Sequence, residues 1–332
     1  MGIIRKQAFS NSIINYTGIL IGAINLLLLQ PYFLTPDELG LTRFLISASV
    51  IISTVFPLGT NGMIIKFFPK IYQDKNSSNG FLLLMLLICL ISYTVFFLGI
   101  HFFQPQIIGK YPNSSVMLTD FFYIIYLITL FMGFTNVFTS VLNVNFNSIF
   151  SSFMNDIFLR IYMTAMLFLY HYQLISFQNF MILFFLSYFI QTIALFIYSL
   201  IIYKPGLTIN FNFLKEYELK ELLKFGGFVT VGGLASISLR NVDVIIISQK
   251  LSFESVAIYS IALFIGNFIE IPSGSLARIT DSRISHAFAR KDFTEIKDVY
   301  QKSCRILTYI GAFLFVLIII NINDLLIFLP DK

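Results

Sequence analysis

The chain has no tryptophan, two cysteines, three histidines and few charges: only 12% of its 332 residues are Asp, Glu, Lys or Arg. Soluble domains carry about 25% charged residues, so an ordinary soluble enzyme is excluded. Two cysteines, Cys89 and Cys304, cannot make a disulfide framework or a metal centre. Both are expected as small buried hydrophobes in or beside apolar stretches. Histidines at 101, 171 and 286 fall into no HExxH, CxxC, phosphate-loop or Ser/His/Asp pattern. No catalytic residue, metal site or cofactor is expected, and nothing indicates nucleic-acid binding. Cleavage of a signal peptide is not expected either, because Arg5-Lys6 leads into an apolar run as long as a full span.

What is present is hydrophobic length. The chain is 57% hydrophobic, with 39 Phe, and its mean hydropathy is +0.82. The apolar runs are too long for an outer-membrane barrel, whose strands alternate over short segments. A helix needs ~20 apolar residues to cross a bilayer. Such runs fall at 10–33, 41–66, 80–103, 117–142, 148–170, 176–203, 226–248, 256–280 and 304–322. The expected fold class is therefore an all-α polytopic membrane protein with about nine full transmembrane helices. The apolar residues after Asp324 are too few for a tenth, so the sequence reads as cut within a membrane domain.

Basic residues flank spans on the cytoplasmic side. With the N-terminus inside, Arg5, Lys6, Lys66, Lys70, Lys75, Lys204, Lys215, Lys220, Lys224 and the basic residues from Arg278 to Arg305 share the inner side. Only Lys110, Lys250 and Lys332 lie outside. The expectation is a multi-pass protein of a bacterial inner membrane with a cytoplasmic N-terminus.

The chain also reads as two related halves. Leu34-Thr-Pro-Asp-Glu-Leu-Gly-Leu-Thr42 aligns without gaps to Leu251-Ser-Phe-Glu-Ser-Val-Ala-Ile-Tyr259, and Lys66 and Arg283 then fall in the same register. The expected organisation is a six-helix bundle over 1–203, an amphipathic cytoplasmic connector over 204–225 with a surface helix from Phe213 to Phe225, and a partial second bundle over 226–332. An even number of spans per copy makes the repeat parallel, as in some transporters. Pro57-Gly59 and Pro272-Gly274 are expected kinks at comparable places.

Charges inside spans are costly, about 2.5–3.5 kcal/mol each at a helix centre, and tend to face cavities or one another. Those here are Arg43, Asp156, Arg160, Arg240, Asp243, Glu270 and Arg278. Asp156 and Arg160 are four apart and Arg240 and Asp243 three apart, so each pair shares a helix face. One reading is a polar cavity whose arginines Arg43, Arg160, Arg240 and Arg278 hold an anionic head group, since a guanidinium matches phosphate oxygens. Asp243 belongs with that set, and Asp156 and Glu270 would carry a coupling ion. The other reading makes the pairs self-neutralised helix contacts and lets Arg43 and Arg278 reach the interface. Asn15, Asn25, Asn61 and Asn136 add polar lining or interhelical hydrogen bonds.

The runs Leu34-Thr-Pro-Asp-Glu-Leu-Gly-Leu, Leu58-Gly59, Lys66-Phe-Phe-Pro69, Leu219-Lys-Glu-Leu-Leu-Lys-Phe-Gly226, Asn241-Val-Asp243-Val-Ile-Ile and Glu254-Ser-Val-Ala-Ile-Tyr-Ser260 resemble Wzx-type polysaccharide and O-antigen flippases. These belong to the multidrug/oligosaccharidyl-lipid/polysaccharide exporter superfamily. The resemblance implies two six-helix bundles, the second incomplete here, that flip an undecaprenyl-diphosphate-linked oligosaccharide by alternating access for polysaccharide or lipopolysaccharide synthesis. It carries Arg240 and Asp243 as substrate residues. It also implies membrane lipid, a polysaccharide polymerase and chain-length machinery as partners, with a proton or sodium ion as the coupling species. The rival readings are a cation-coupled multidrug antiporter, a lipid II flippase and a membrane enzyme of glycan assembly.

Overall fold

A computed structural model describes residues 2–72, 75–112, 115–204, 209–273, 292–327 and isolated positions between 276 and 290. The described residues form helices and turns, with no strand. The first helix, α1, joins Gly2–Ala23, a π-helical stretch Ile24–Leu29, and Gln30–Phe33 without a break. Then follow α2 Pro36–Val55, α3 Thr60–Ile71, α4 Lys75–Ile108 and α5 Ser115–Val144. Helix α6 runs Ser148–Phe153, a second π stretch Met154–Phe158, and Leu159–His171. The rest are α7 Phe177–Tyr203, α8 Leu219–Lys250, α9 Phe253–Asn267, α10 Phe293–Ile320 and α11 Ile322–Ile327. Among the described residues eight helices are long and apolar enough to cross a membrane, and α9 is a shorter apolar helix. The multi-pass, all-helical expectation holds.

Two compact units divide the chain, Met1–Ala257 and Ile258–Lys332. In the first, α2, α5 and α7 are the most buried spans and form its centre. At one end, which carries Lys66, Lys70, Lys204 and Lys224 and is called the basic end below, Asn11 donates to Ser148 (2.8 Å) and ties α1 to α6. At the opposite end Tyr170 donates to Glu38 (2.8 Å) and ties α6 to α2. Phe56, Phe67, Phe68, Phe81, Met63, Met85 and Cys89 fill a core beneath α3 and α4. Cys89 is buried as expected, but Cys304 is exposed on α10.

Three local expectations are corrected. The second span does not run 41–66: α2 stops at Val55, Pro57 begins a turn, and Leu58 and Gly59 both take left-handed φ (49° and 71°) before α3 starts. Left-handed φ suits glycine and disfavours a bulky residue. The helix expected over 213–225 is not a separate element: Asn212–Lys215 makes one 3₁₀ turn, and the residues from Leu219 on are the first turns of α8. The charged stretch before the last long span belongs to that span, since α10 begins at Phe293.

Both copies of the aligned segment start a helix with the same kind of cap. Thr35 and Glu38 form a capping box at α2, and the Ser252 hydroxyl accepts from Ser255 N–H (3.2 Å) at α9. Both helices then break, α2 at 56–59 and α9 at 268–270. Helix α8 runs antiparallel to α2, with Gly226 against Gly59 in the turn after α2 at one end and Phe253, which opens α9, against Gly40 at the other.

Candidate functional site

The polar interior of the first unit is built on the two π-helical stretches. In α1 the Gln30 N–H bonds to Asn25 O, a five-residue step. In an α-helix residues five apart diverge by about 140°. The wider turn brings Asn25 and Gln30 toward one line, and both are buried. A π turn of this kind is often found at functional sites.

Each amide serves one arginine. Gln30 Oε1 accepts from Arg43 Nη2 at 2.6 Å. Arg43 Nε is buried without a hydrogen-bond partner, and Tyr188 of α7 lies within its electrostatic reach. No carboxylate pairs with Arg43 among the described residues. Asn25 donates to the Arg160 carbonyl (2.8 Å) and accepts from the Thr164 hydroxyl (2.7 Å).

Arg160 and Asp156 face α1 from α6. Their side chains form a loose pair at 3.9 Å, and Arg160 Nη1 also donates to the Asp156 carbonyl. Gly18 and Gly22 make the space: a Cβ on Gly22 would meet Arg160 Nε at 2.9 Å, and one on Gly18 would collide with the Asp156 carbonyl oxygen. Small residues four apart let helices approach closely in a membrane. The second π stretch holds Asn155, whose Oδ1 accepts from Gln191 of α7 (2.7 Å). Thr192, the next residue, pairs with Thr135 of α5 (2.9 Å). A polar band thus crosses α1, α2, α5, α6 and α7.

The structure therefore brings Arg43, Asp156 and Arg160 onto one polar system, through Asn25 and Gln30. It places Arg240 and Asp243 elsewhere. Both are exposed on α8, beside the buried stripe Gly226, Thr230, Val244 and Ser248 that packs on the first bundle. Glu270 is exposed and is not midway along a span: α9 ends at Asn267, and Glu270 lies in a turn where its N–H bonds to Asn267 O (3.0 Å). The proline two residues on, Pro272, cannot supply the N–H a continuing helix needs. Arg278, like Arg283, His286 and Gly274, lies outside the described residues. Of the asparagines, Asn25 is buried whereas Asn61 and Asn136 are exposed. Gln30, Thr164 and Gln191 were missed by the sequence reading. Mid-span polar residues are their only signal in the sequence.

The model of the family described as polysaccharide biosynthesis protein matches residues 4–281. Among solved structures, an inward-facing multidrug resistance MATE family transporter of the MOP superfamily superposes with a TM-score of 0.72. That superposition covers 97% of this chain and 75% of the transporter, at 13% identity, and shows a shared fold. No curated protein matches the chain. With the family model matched across most of its length and eight helices apolar and long enough to cross a membrane among the described residues, the chain belongs to the polysaccharide biosynthesis protein family and is a multi-pass membrane protein.

Proposed function

We propose that the protein is a flippase that carries a polyprenyl-diphosphate-linked oligosaccharide across a bacterial inner membrane by alternating access. Arg43 is the observation that carries this reading. An arginine inside a span is costly, and one without a carboxylate leaves a charge that a partner from outside the chain would offset. A diphosphate matches a guanidinium in shape and charge. Arg160, whose hold on Asp156 is loose, is the second cation of the same band. Arg240 and Asp243 on α8, together with Arg278, complete the proposed substrate set, and the family membership supports a lipid-linked glycan precursor as the cargo.

The basic end is cytoplasmic in this reading, by the distribution of Lys and Arg. The sugar enters there while the prenyl tail stays in lipid. Asp156 or Glu270 carries a proton or sodium ion that biases the cycle. A polymerase and chain-length machinery of O-antigen or related synthesis then use the product outside.

The test is complementation. The complete gene is placed in a strain lacking its polysaccharide flippase, and surface glycan is measured with wild type and Arg43→Gln at equal membrane abundance. Restoration by wild type and an at least ten-fold loss with Arg43→Gln is the expected result, in line with ~1.5–3 kcal/mol for a charged hydrogen bond. Equal glycan from both would remove Arg43 from the site. Drug efflux in place of glycan would support the antiporter.

A further inference from the structure

A cavity lies away from the polar band, on the perimeter of the first unit. It occupies about 200 Å³ between α4, α5 and α7. Its wall is hydrocarbon: Leu82, Leu83, Leu86, Phe138, Phe196 and Leu200 are representative. An apolar cavity of ~150 Å³ stays dry and takes an apolar guest, so this one accepts a run of methylenes. Phe196 and Leu200 line it and are also 37% and 40% exposed. The cavity therefore opens outward from the bundle, where a membrane span meets lipid.

Only one end of the cavity is polar. There the Tyr203 hydroxyl donates to Asn79 Oδ1 (2.7 Å) and lies 2.7 Å from the Ser78 hydroxyl. These groups bond to one another at the end of the cavity toward the basic end. The chain places a cation at that edge. Lys204 follows Tyr203, ends α7 in a left-handed turn and is exposed. Among the described residues Lys204 has no carboxylate partner. Cations beside a crevice between spans are a recognition pattern for anionic lipid head groups.

We infer that this cavity is a site for one acyl chain of an anionic bilayer phospholipid, with the head group held by Lys204. The inference depends on the membrane fold and not on what the protein transports. It is distinct from the polar band, since none of the band's side chains lines the cavity.

The absence of tryptophan makes the site directly readable. Phe196→Trp puts the only indole into the cavity wall, and Ile197→Trp puts it on the next, outward-facing residue, which is 51% exposed. Each variant of the 332-residue chain is reconstituted in phosphatidylcholine vesicles containing dibrominated phosphatidylglycerol or dibrominated phosphatidylcholine, and quenching is followed against mole fraction. In the Phe196→Trp protein the brominated phosphatidylglycerol should quench at an at least three-fold lower mole fraction than the phosphatidylcholine. In the Ile197→Trp protein the two should be equal. Added to Phe196→Trp, Lys204→Gln should abolish the lipid preference while leaving quenching itself, and Leu83→Phe should bring the cavity indole down to the response of the outward-facing one. Equal curves for the two lipids in Phe196→Trp would overturn the inference. So would relief of quenching by polyprenyl phosphate but not by unbrominated phosphatidylglycerol, because the cavity would then belong to the carrier.

Discussion

Gly59 and Gly226 meet backbone to backbone: a Cβ on Gly59 would collide with the Gly226 carbonyl oxygen, and one on Gly226 would collide with the Leu58 carbonyl oxygen. The α2–α3 turn is thereby seated on α8, the first helix after the connector. Gly59 also has φ +71°, so it is fixed by conformation as well as by space.

Gly59→Ala should lower the stability of the folded bundle by about 2 kcal/mol or more, through both a left-handed alanine and a main-chain clash. Gly227→Ala is the control. Nothing lies within 4 Å of its Cβ position, and alanine in a helix interior is favoured by ~0.5–1 kcal/mol over glycine. Thermal unfolding in detergent, followed by size-exclusion chromatography, should show the first variant melting earlier and the second no earlier than wild type.

Gly22 and Gly18 should respond differently to loss of Arg160. The obstacle to Gly22→Ala is the Arg160 side chain, whereas the obstacle to Gly18→Ala includes the Asp156 main-chain carbonyl. Overpacking of this kind costs ~1–3 kcal/mol. In an Arg160→Ala background the Gly22→Ala penalty should fall below about 0.5 kcal/mol, and the Gly18→Ala penalty should persist. A double-mutant cycle on melting temperatures measures this. Equal coupling at the two glycines would contradict the placement of Arg160 over Gly22.

The α2 cap couples two helices. Glu38 completes the capping box with Thr35 and also accepts from Tyr170. Thr35→Ala should cost ~1 kcal/mol, and Tyr170→Phe a similar amount for one hydrogen bond. In a Glu38→Ala background Tyr170→Phe should cost almost nothing more.

The start of α10 should loosen in acid. Asp292 caps that helix: its carboxylate accepts from Glu295 N–H (2.9 Å) and from the Thr294 hydroxyl (2.6 Å). These bonds, the Thr294 one foremost, hold its pKa below the usual carboxylate value. The folded form thus favours the ionised carboxylate. Its stabilisation is complete above the ordinary carboxylate pKa and is lost as pH falls through the depressed one. Hydrogen exchange at the first turn of α10 should speed up in that acidic window, beyond the intrinsic pH effect. Asp292→Asn keeps a good cap and should flatten the dependence. An unchanged profile in Asp292→Asn would assign the loosening to other groups.

The fold was legible because a bilayer demands apolar length: among the described residues eight of the nine expected runs answer to a helix long enough to cross, and the run at 256–280 only to the shorter α9. The Thr35–Glu38 cap was legible in kind, because Ser/Thr-x-x-Glu ahead of an apolar run is a local signal. Pro57 was visible as a kink, but that the helix ends there depends on Leu58 and Gly59 turning left-handed against α8, a tertiary matter. The charges of the site and Asn25 were visible; Gln30, Thr164 and Gln191 were not. Asn25 sits in Ile24-Asn-Leu-Leu-Leu-Leu29, which nothing local marks as π-helical. The rotation of α8 was hidden too. It is apolar nearly all round, so no stripe told which side Arg240 and Asp243 would take.

The two wide turns have a mechanical consequence. A π stretch holds one residue more than the α-helical turn it replaces, so removing that residue would turn the rest of the helix by about 100°. In α1 such a slip would uncouple Gln30 from Arg43; in α6 it would carry Asn155 away from Gln191. The amide of Asn25, bonded to Arg160 and Thr164 of α6, latches the two helices as one lever. A rocking motion that carries α1 must carry α6 with it, and the pair travels with its arginine aboard.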